Sequence, residues 1–171
     1  MKRAYTGSPS ITPPIFQALY QEHAGRLRDY LTRSLRGDTA EAEGIVQDAF
    51  LKAWEKRAEL KNIKAFRSWL YSIALNVLRQ RHRKLKPLAV EDIEVECERP
   101  NPERHTSDRQ ELALVAKAFK NLPFEQREAI RLVRLECMKF SEAAGVLNVP
   151  DSTVKTWVRR GLLAIAEEVG L

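Results

Sequence analysis

The sequence predicts an all-α protein: two small helical domains joined by an acidic linker. Three observations carry that reading. Apolar residues recur at spacings of three and four, and no period-two alternation is long enough to make a strand. The charge is partitioned: residues 1–86 hold 17 Lys and Arg against 8 Asp and Glu, residues 87–111 hold 3 against 8, and residues 112–171 hold 9 against 7. Between the two basic blocks, Pro87, Pro100 and Pro102 punctuate a stretch without periodicity. A chain of 171 residues is long enough for one ordinary domain, or for two small ones that each bury a core.

The first dozen residues are rich in Ser, Thr, Pro and Gly, and residues 1–13 are expected to be a disordered tail. From Ile15 the pattern turns helical, with Phe16, Leu19, Tyr20, His23, Leu27, Tyr30 and Leu31 drawing one apolar stripe. It stops at "RGD", where Gly37 offers a helix stop and Asp38 an N-cap for the next helix. That second helix is predicted over about Thr39–Lys56, burying Ala42, Ile45, Ala49, Phe50 and Ala53. A third is predicted over about Ile63–Lys84 through Phe66, Leu70, Ile73, Ala74, Val77 and Leu78. These make a first domain at 14–86, followed by an acidic linker at 87–107.

The second domain, 108–171, opens with Ser107 and Gln110 at capping-box spacing. Its first helix is expected to pack through Leu112, Val115, Ala118, Phe119 and Leu122, with "NLP" as the break. Another helix follows from Phe124 to Cys137. Ser141 then reads as the N-cap of a short helix that offers Ala143, Ala144 and Leu147 for close packing. Asn148 stands where a tight turn wants positive φ. Asp151 or Ser152 can cap the last helix, whose Val154, Val158, Leu162 and Ile165 share a face.

Composition excludes several classes. Cys97 and Cys137 are far apart and unaccompanied, which argues against a disulfide framework and for a reducing compartment. His23, His82 and His105 do not join them at zinc-ligand spacing, so no metal is expected. The opening "MKRAYTGSPSITPP" lacks the apolar run of a signal peptide. No stretch is long and apolar enough for a membrane span, and a cytoplasmic protein without membrane insertion is expected.

The stretch "SEAAGVLNVPDSTVKTWVRR" reads as two short helices about a turn. With the apolar face of the second buried, Ser152, Thr156, Arg159 and Arg160 point outward, flanked by Thr153, Lys155 and Trp157. Arg matches the paired acceptors of guanine in the major groove, while hydroxyls and Lys hold phosphates. An ordinary helical hairpin with a solvated basic face is the competing reading, and a helix-turn-helix alone does not separate a repressor from other DNA binders. In the first domain, "RQRHRK" gathers Arg79, Arg81, Arg83 and Lys84 behind Trp54, Phe66, Trp69 and Tyr71. Cations beside aromatics suit unpaired strands, although Trp54 and Phe66 are assigned to the core and Trp69 is left open. The second helix carries Glu41, Glu43, Gln47 and Asp48, a face that phosphates would repel and that suits a protein partner or water.

Together these runs resemble the extracytoplasmic-function (ECF) class of bacterial RNA polymerase sigma factors over about residues 15–86 and 108–168. "GDTAEAEGIVQDAFLKAW" looks like the family's polymerase-binding helix, and "FRSWLYSIALNVLRQRHRK" like its promoter-melting helix. "LPFEQREAIRLVRLECMKFSEAAGVLNVPDSTVKTWVRRGLLAI" is similar to its fourth conserved region. The resemblance implies a non-catalytic initiation subunit without cofactor. Glu43, Gln47, Asp48 and Leu51 would dock on the clamp helices of the β′ subunit. Lys56, Arg57, Asn62, Lys64, Trp69, Asn76, Arg79 and Arg83 would open and hold the −10 element. Ser152, Thr153, Lys155, Thr156, Arg159 and Arg160 would read the −35 element on a domain that also touches the β flap. An anti-sigma partner is expected on the same ground.

Four positions depart from the family pattern: Leu75 replaces a basic residue, Gly44 an acidic one, Trp157 a frequent Arg and Cys137 a usual Gly. Two other functions compete. A stand-alone helix-turn-helix regulator would normally dimerise on a two-fold site, and no segment reads as a dimerisation helix. A nuclease or recombinase would need a phosphate loop or metal cluster, and neither is found.

Overall fold

The structure, a computed structural model, describes residues 11–85 and 106–170, with side chains for all of these but 83–85 and 106–111. Most of the expected tail and linker, with Cys97 and the side chain of Arg83, lies outside the described residues. Among the described residues every regular element is helical, and the chain divides into two compact units, Met1–Val95 and Glu96–Leu171.

The first unit packs α1 (Pro13–Ser34), α2 (Thr39–Glu55) and α3 (Phe66–Leu85), with α2 against both others. Helix α1 begins two residues before Ile15, because Pro13 and Pro14 carry the fixed φ that suits a first turn. Ile11, placed in the tail by the sequence, is buried. The stripe buries Leu27, Tyr30 and Leu31 fully, but Tyr20 remains 39% exposed and leans on Phe50 at 4.7 Å between ring centroids. The turn at the end of α1 puts Arg36 and Gly37 in the left-handed region, a conformation that costs glycine little. Asp38 then caps α2, its Oδ1 accepting from the Glu41 N–H at 2.8 Å.

Helix α2 buries all five residues named for it, and Val46 besides. The third helix starts later than expected: Ile63–Ala65 form a 3₁₀ turn, and α3 proper begins at Phe66. Asn62 sets that entry, its Oδ1 accepting from the Lys64 N–H at 3.0 Å. Phe66, Leu70, Tyr71, Ala74, Val77 and Leu78 line the core, and so does Leu75, fully buried. The departure at 75 therefore adds apolar surface to the interior.

The second unit packs α4 (Thr106–Asn121) and α5 (Phe124–Ile130) against α7 (Asp151–Val169), with α6 (Phe140–Leu147) also on α7. Several expectations are corrected here. Ser107 is not an N-cap, because α4 already runs from Thr106. Leu112 is 67% exposed and Val115 38%, while the packing of α4 goes through Ala118 near its end, with buried Leu122 just beyond it. The helix expected to run to Cys137 gives way after Ile130 to a π segment, Arg131–Leu135. There the Glu136 N–H reaches the carbonyl of Arg131 five residues back, at 2.9 Å. Cys137 follows with φ 53°, a left-handed residue where the family pattern has glycine, and a Cβ there carries a steric cost.

Ser141 sits inside the first turn of α6. Lys139 is the N-cap, and its N–H donates to Glu142 Oε2 at 2.8 Å. Neither Asp151 nor Ser152 caps α7: Pro150 holds that place, and its carbonyl accepts from the Thr153 N–H at 3.0 Å. Asn148 does take φ 56° and ψ 49° at the turn. Gly161 lets α7 press closest to its neighbours: a Cβ there would lie 2.7 Å from Ile130 Cδ1 and 3.3 Å from Leu122 Cδ1.

His23 gives the first unit a pH dependence. Its ring stacks on Phe66 at 5.6 Å, and burial holds its pKa below the ordinary value, with Glu22 pulling the other way and Arg67 and Arg26 reinforcing the drop. The ion pair with Glu22, at 3.9 Å, is too long to outweigh that burial. A lowered folded-state pKa means the unfolded chain binds the proton more readily. Stability from this group is therefore complete above the unfolded value of about 6.5 and is lost as pH falls through the folded one. Urea melts between pH 7.5 and 5 are expected to show the midpoint of the first unit falling, and His23→Phe to flatten the slope.

Candidate nucleic-acid and protein interfaces

Helix α7 buries Val154, Val158 and Gly161 against the second unit. That anchoring turns Ser152, Lys155, Thr156, Arg159 and Arg160 to solvent, with Thr153 and Trp157 half-buried at the flanks. The six residues expected to read DNA are thus brought onto about the first three turns of one helix. Thr156 is partly engaged within the helix, its Oγ1 donating to the Ser152 carbonyl at 2.9 Å. Lys155 is held from two sides, by Asp151 Oδ2 at 3.3 Å and by the face of Phe140 at 5.8 Å. Leu162, assigned to the buried face, is instead 37% exposed. It borders an open cleft of about 390 Å³ lined also by Arg134, Phe140, Lys155 and Arg159. Arg134 is a cation that sequence reading did not connect with α7, because it enters from the π segment, two elements away.

On the first unit the expected −10 residues fall in two groups. Lys56, Asn62 and Lys64 are exposed on the connection between α2 and α3. Arg57 is half-buried: its guanidinium stacks on Trp54 at 3.9 Å, and Nη1 donates to the Trp54 carbonyl at 2.7 Å. These contacts tie Arg57 to the end of α2. Buried Leu60 pins the same loop to the core. Asn76 and Arg79 are exposed along α3, and Trp69 is half-buried with its ring 6.0 Å from that of Phe66. Trp54 is also half-buried, its ring edge-on to Phe16 at 5.0 Å.

Helix α2 carries the four residues expected to dock. Gln47 is exposed, Leu51 is 63% exposed, and Glu43 and Asp48 are half-buried. An apolar side chain that open, between carboxylates, is the composition of a protein-binding face. The carboxylates are not all free: Glu43 lies 3.8 Å from Arg28 and Glu41 3.7 Å from His82, while Asp48 Oδ2 accepts from Arg81 at 2.6 Å. These partners come from α1 and α3, so each docking charge is framed by the helices beside it.

Comparison with known proteins finds matches for both units. The family model "Sigma-70 region 2" matches residues 19–87, and "Sigma-70, region 4" matches residues 112–165. The chain is 34% identical over 152 residues to the RNA polymerase sigma factor NccH of Alcaligenes xylosoxydans xylosoxydans, covering 85% of this chain and 81% of that protein. It is 32% identical over 151 residues to the ferric citrate uptake sigma factor FecI of Escherichia coli strain K12, covering 86% of each. Its fold is similar to that of the sigma factor RpoE of Bartonella quintana, solved with the anti-sigma factor NepR, at TM-score 0.66 and 26% identity over 91% of this chain and 97% of that one.

Proposed function

The chain belongs to the extracytoplasmic-function sigma factors of bacterial RNA polymerase, and from that premise we propose how its residues divide the work of initiation. Residues 14–86 dock on core polymerase and open the −10 element, residues 108–171 read the −35 element, and 87–107 tether the two. Glu43, Gln47, Asp48 and Leu51 on α2 meet the β′ clamp helices. Lys56, Asn62 and Lys64 before α3, with Trp69, Asn76, Arg79 and Arg83 on it, take the melted −10 strand, and Arg57 keeps that loop in shape. Ser152, Thr153, Lys155, Thr156, Arg159 and Arg160 enter the major groove at −35, and the same unit touches the β flap. The linker's negative charge suits a channel built for RNA.

The single observation behind this reading is a face of α2 on which Leu51 stands 63% exposed beside Glu43, Gln47 and Asp48. A DNA reader acting alone has no use for such a face.

The mechanism is differential binding. Flipped bases of an opened promoter gain contacts that duplex cannot offer, so opening is drawn forward without chemistry by this subunit. It acts in the cytoplasm, where polymerase works, and is non-catalytic. That the RpoE neighbour was solved with an anti-sigma factor supports an inhibitor for this chain as well.

Asp48→Arg tests the docking face, since it sets a cation where the reading needs a carboxylate. Pull-down by core polymerase is expected to fall by about tenfold or more, with some loss of melting temperature because the new cation faces Arg81. Wild-type assembly would remove the docking assignment, and tight binding of the unassisted protein to a palindrome would restore the stand-alone regulator.

A further inference from the structure

Arg81 stands in the basic run that ends α3, and its guanidinium is laid over α2. There Nη2 donates to Asp48 Oδ2 at 2.6 Å. Glycine at 44 leaves that approach uncrowded: a Cβ there would lie 3.1 Å from Arg81 Nη1 and 3.4 Å from Nη2, so the guanidinium would have to shift by a few tenths of an ångström. Two more contacts join the same helices, Lys52 Nζ to Gln80 Oε1 at 3.3 Å and His82 Nε2 to Glu41 Oε1 at 3.7 Å. Arg81 is thus one member of a polar seam between α2 and α3.

We propose that Arg81 is a positioning residue for core docking, fixing the Asp48 carboxylate for the polymerase, and that Gly44 is the small residue that makes room for it. This rests on the docking role given to Asp48 above. A carboxylate has two oxygens and room for several donors. With Oδ2 committed to Arg81, Oδ1 stays open on a side chain that is 44% accessible, so the bond orients Asp48 without consuming it. A carboxylate already held in one rotamer has less freedom to lose on binding, and that is the source of the gain. A side chain at 44 would crowd the ground on which the guanidinium lies.

The test measures affinity of the full chain for core polymerase alongside its melting temperature and its promoter binding in the assembled holoenzyme. Arg81→Ala is expected to weaken core binding about threefold to tenfold. Gly44→Ala is expected to weaken it in the same direction while holding or raising the melting temperature, since alanine favours helix over glycine. Opposite movements of affinity and stability are what a merely structural role would not give. The double variant is expected to be no weaker than Arg81→Ala alone, because both act on one contact.

Asp48→Asn separates the two levels. If it weakens docking and Arg81→Ala does not, the positioning role is overturned and the docking role stands. If neither variant changes core affinity, the docking role of Asp48 falls and this inference with it. Tighter core binding by Arg81→Ala would mean that Arg81 masks Asp48, and a loss confined to promoter binding would make Arg81 a DNA contact. Either result overturns the proposal.

Discussion

Arg131→Ala is expected to cost the second unit about 3–5 kcal/mol, enough to unfold much of it at ordinary temperature. The reason is the company Arg131 keeps. It is buried in the π segment, ion-paired with Glu128, itself fully buried one turn earlier on α5. Its guanidinium also lies 5.4 Å from the centre of the Phe119 ring on α4. Removing the cation breaks a buried ion pair and takes away the charge that Arg131 supplies to a carboxylate in the interior. A unit of this size holds only a few kcal/mol in reserve. Native-state hydrogen exchange should show protection lost across α4–α7 and kept in α1–α3, as the two units form separate cores. Replacing both partners together, Glu128→Leu with Arg131→Met, should recover most of the loss, because an apolar pair needs no counter-charge. A double variant as unstable as the single one would show that packing, and not charge, is what Arg131 supplies.

The second large effect is on promoter recognition. Arg159→Ala and Lys155→Ala are each expected to weaken binding of the holoenzyme to a −35 site by about tenfold to a hundredfold, while affinity for core stays at the wild-type level. The two should differ in kind. A guanidinium that reads guanine carries sequence information, so Arg159→Ala should relax preference at one base pair. An ammonium on a phosphate carries none, so Lys155→Ala should weaken all sites alike and reduce the salt dependence by about one counterion. Both side chains are exposed and away from the buried face of α7, so the melting temperature should hold. Equal loss of core and promoter binding would mean that α7 does not carry the reading face.

The parts of this protein that could be read in advance are those that a local rule governs. The apolar spacing of α2 specified its buried face, the position of Asp38 its cap, and the tolerance of asparagine for positive φ the turn at 148. The parts that could not be read depend on what is absent or distant. Gly161 matters through the side chain it lacks, and nothing in its own neighbourhood marks Ile130 and Leu122 as the groups pressing on it. The π segment leaves the composition of the α5 run unchanged, so a helical pattern through Cys137 hides the extra residue in its ring. Ser107, Ser141 and Ser152 look like caps, but capping needs a side chain placed just before a helix, and each lies within one.

The interfaces divide in the same way. The exposed row on α7 follows from helical periodicity once its apolar face is chosen. The bond between Asp48 and Arg81 joins positions 33 apart in the chain, and no spacing rule reaches that far. Arg57 adds what the spacing does not show: its guanidinium stacks on Trp54, within the loop that carries it.

All of this depends on the chain directing polymerase to promoters. Run-off transcription with purified core enzyme on fragmented genomic DNA, followed by mapping of the 5′ ends, tests that most directly. The account predicts transcripts from a limited set of sites that share one sequence near −35 and another near −10, all absent with core enzyme alone. A transcript pattern identical with and without the protein would contradict it.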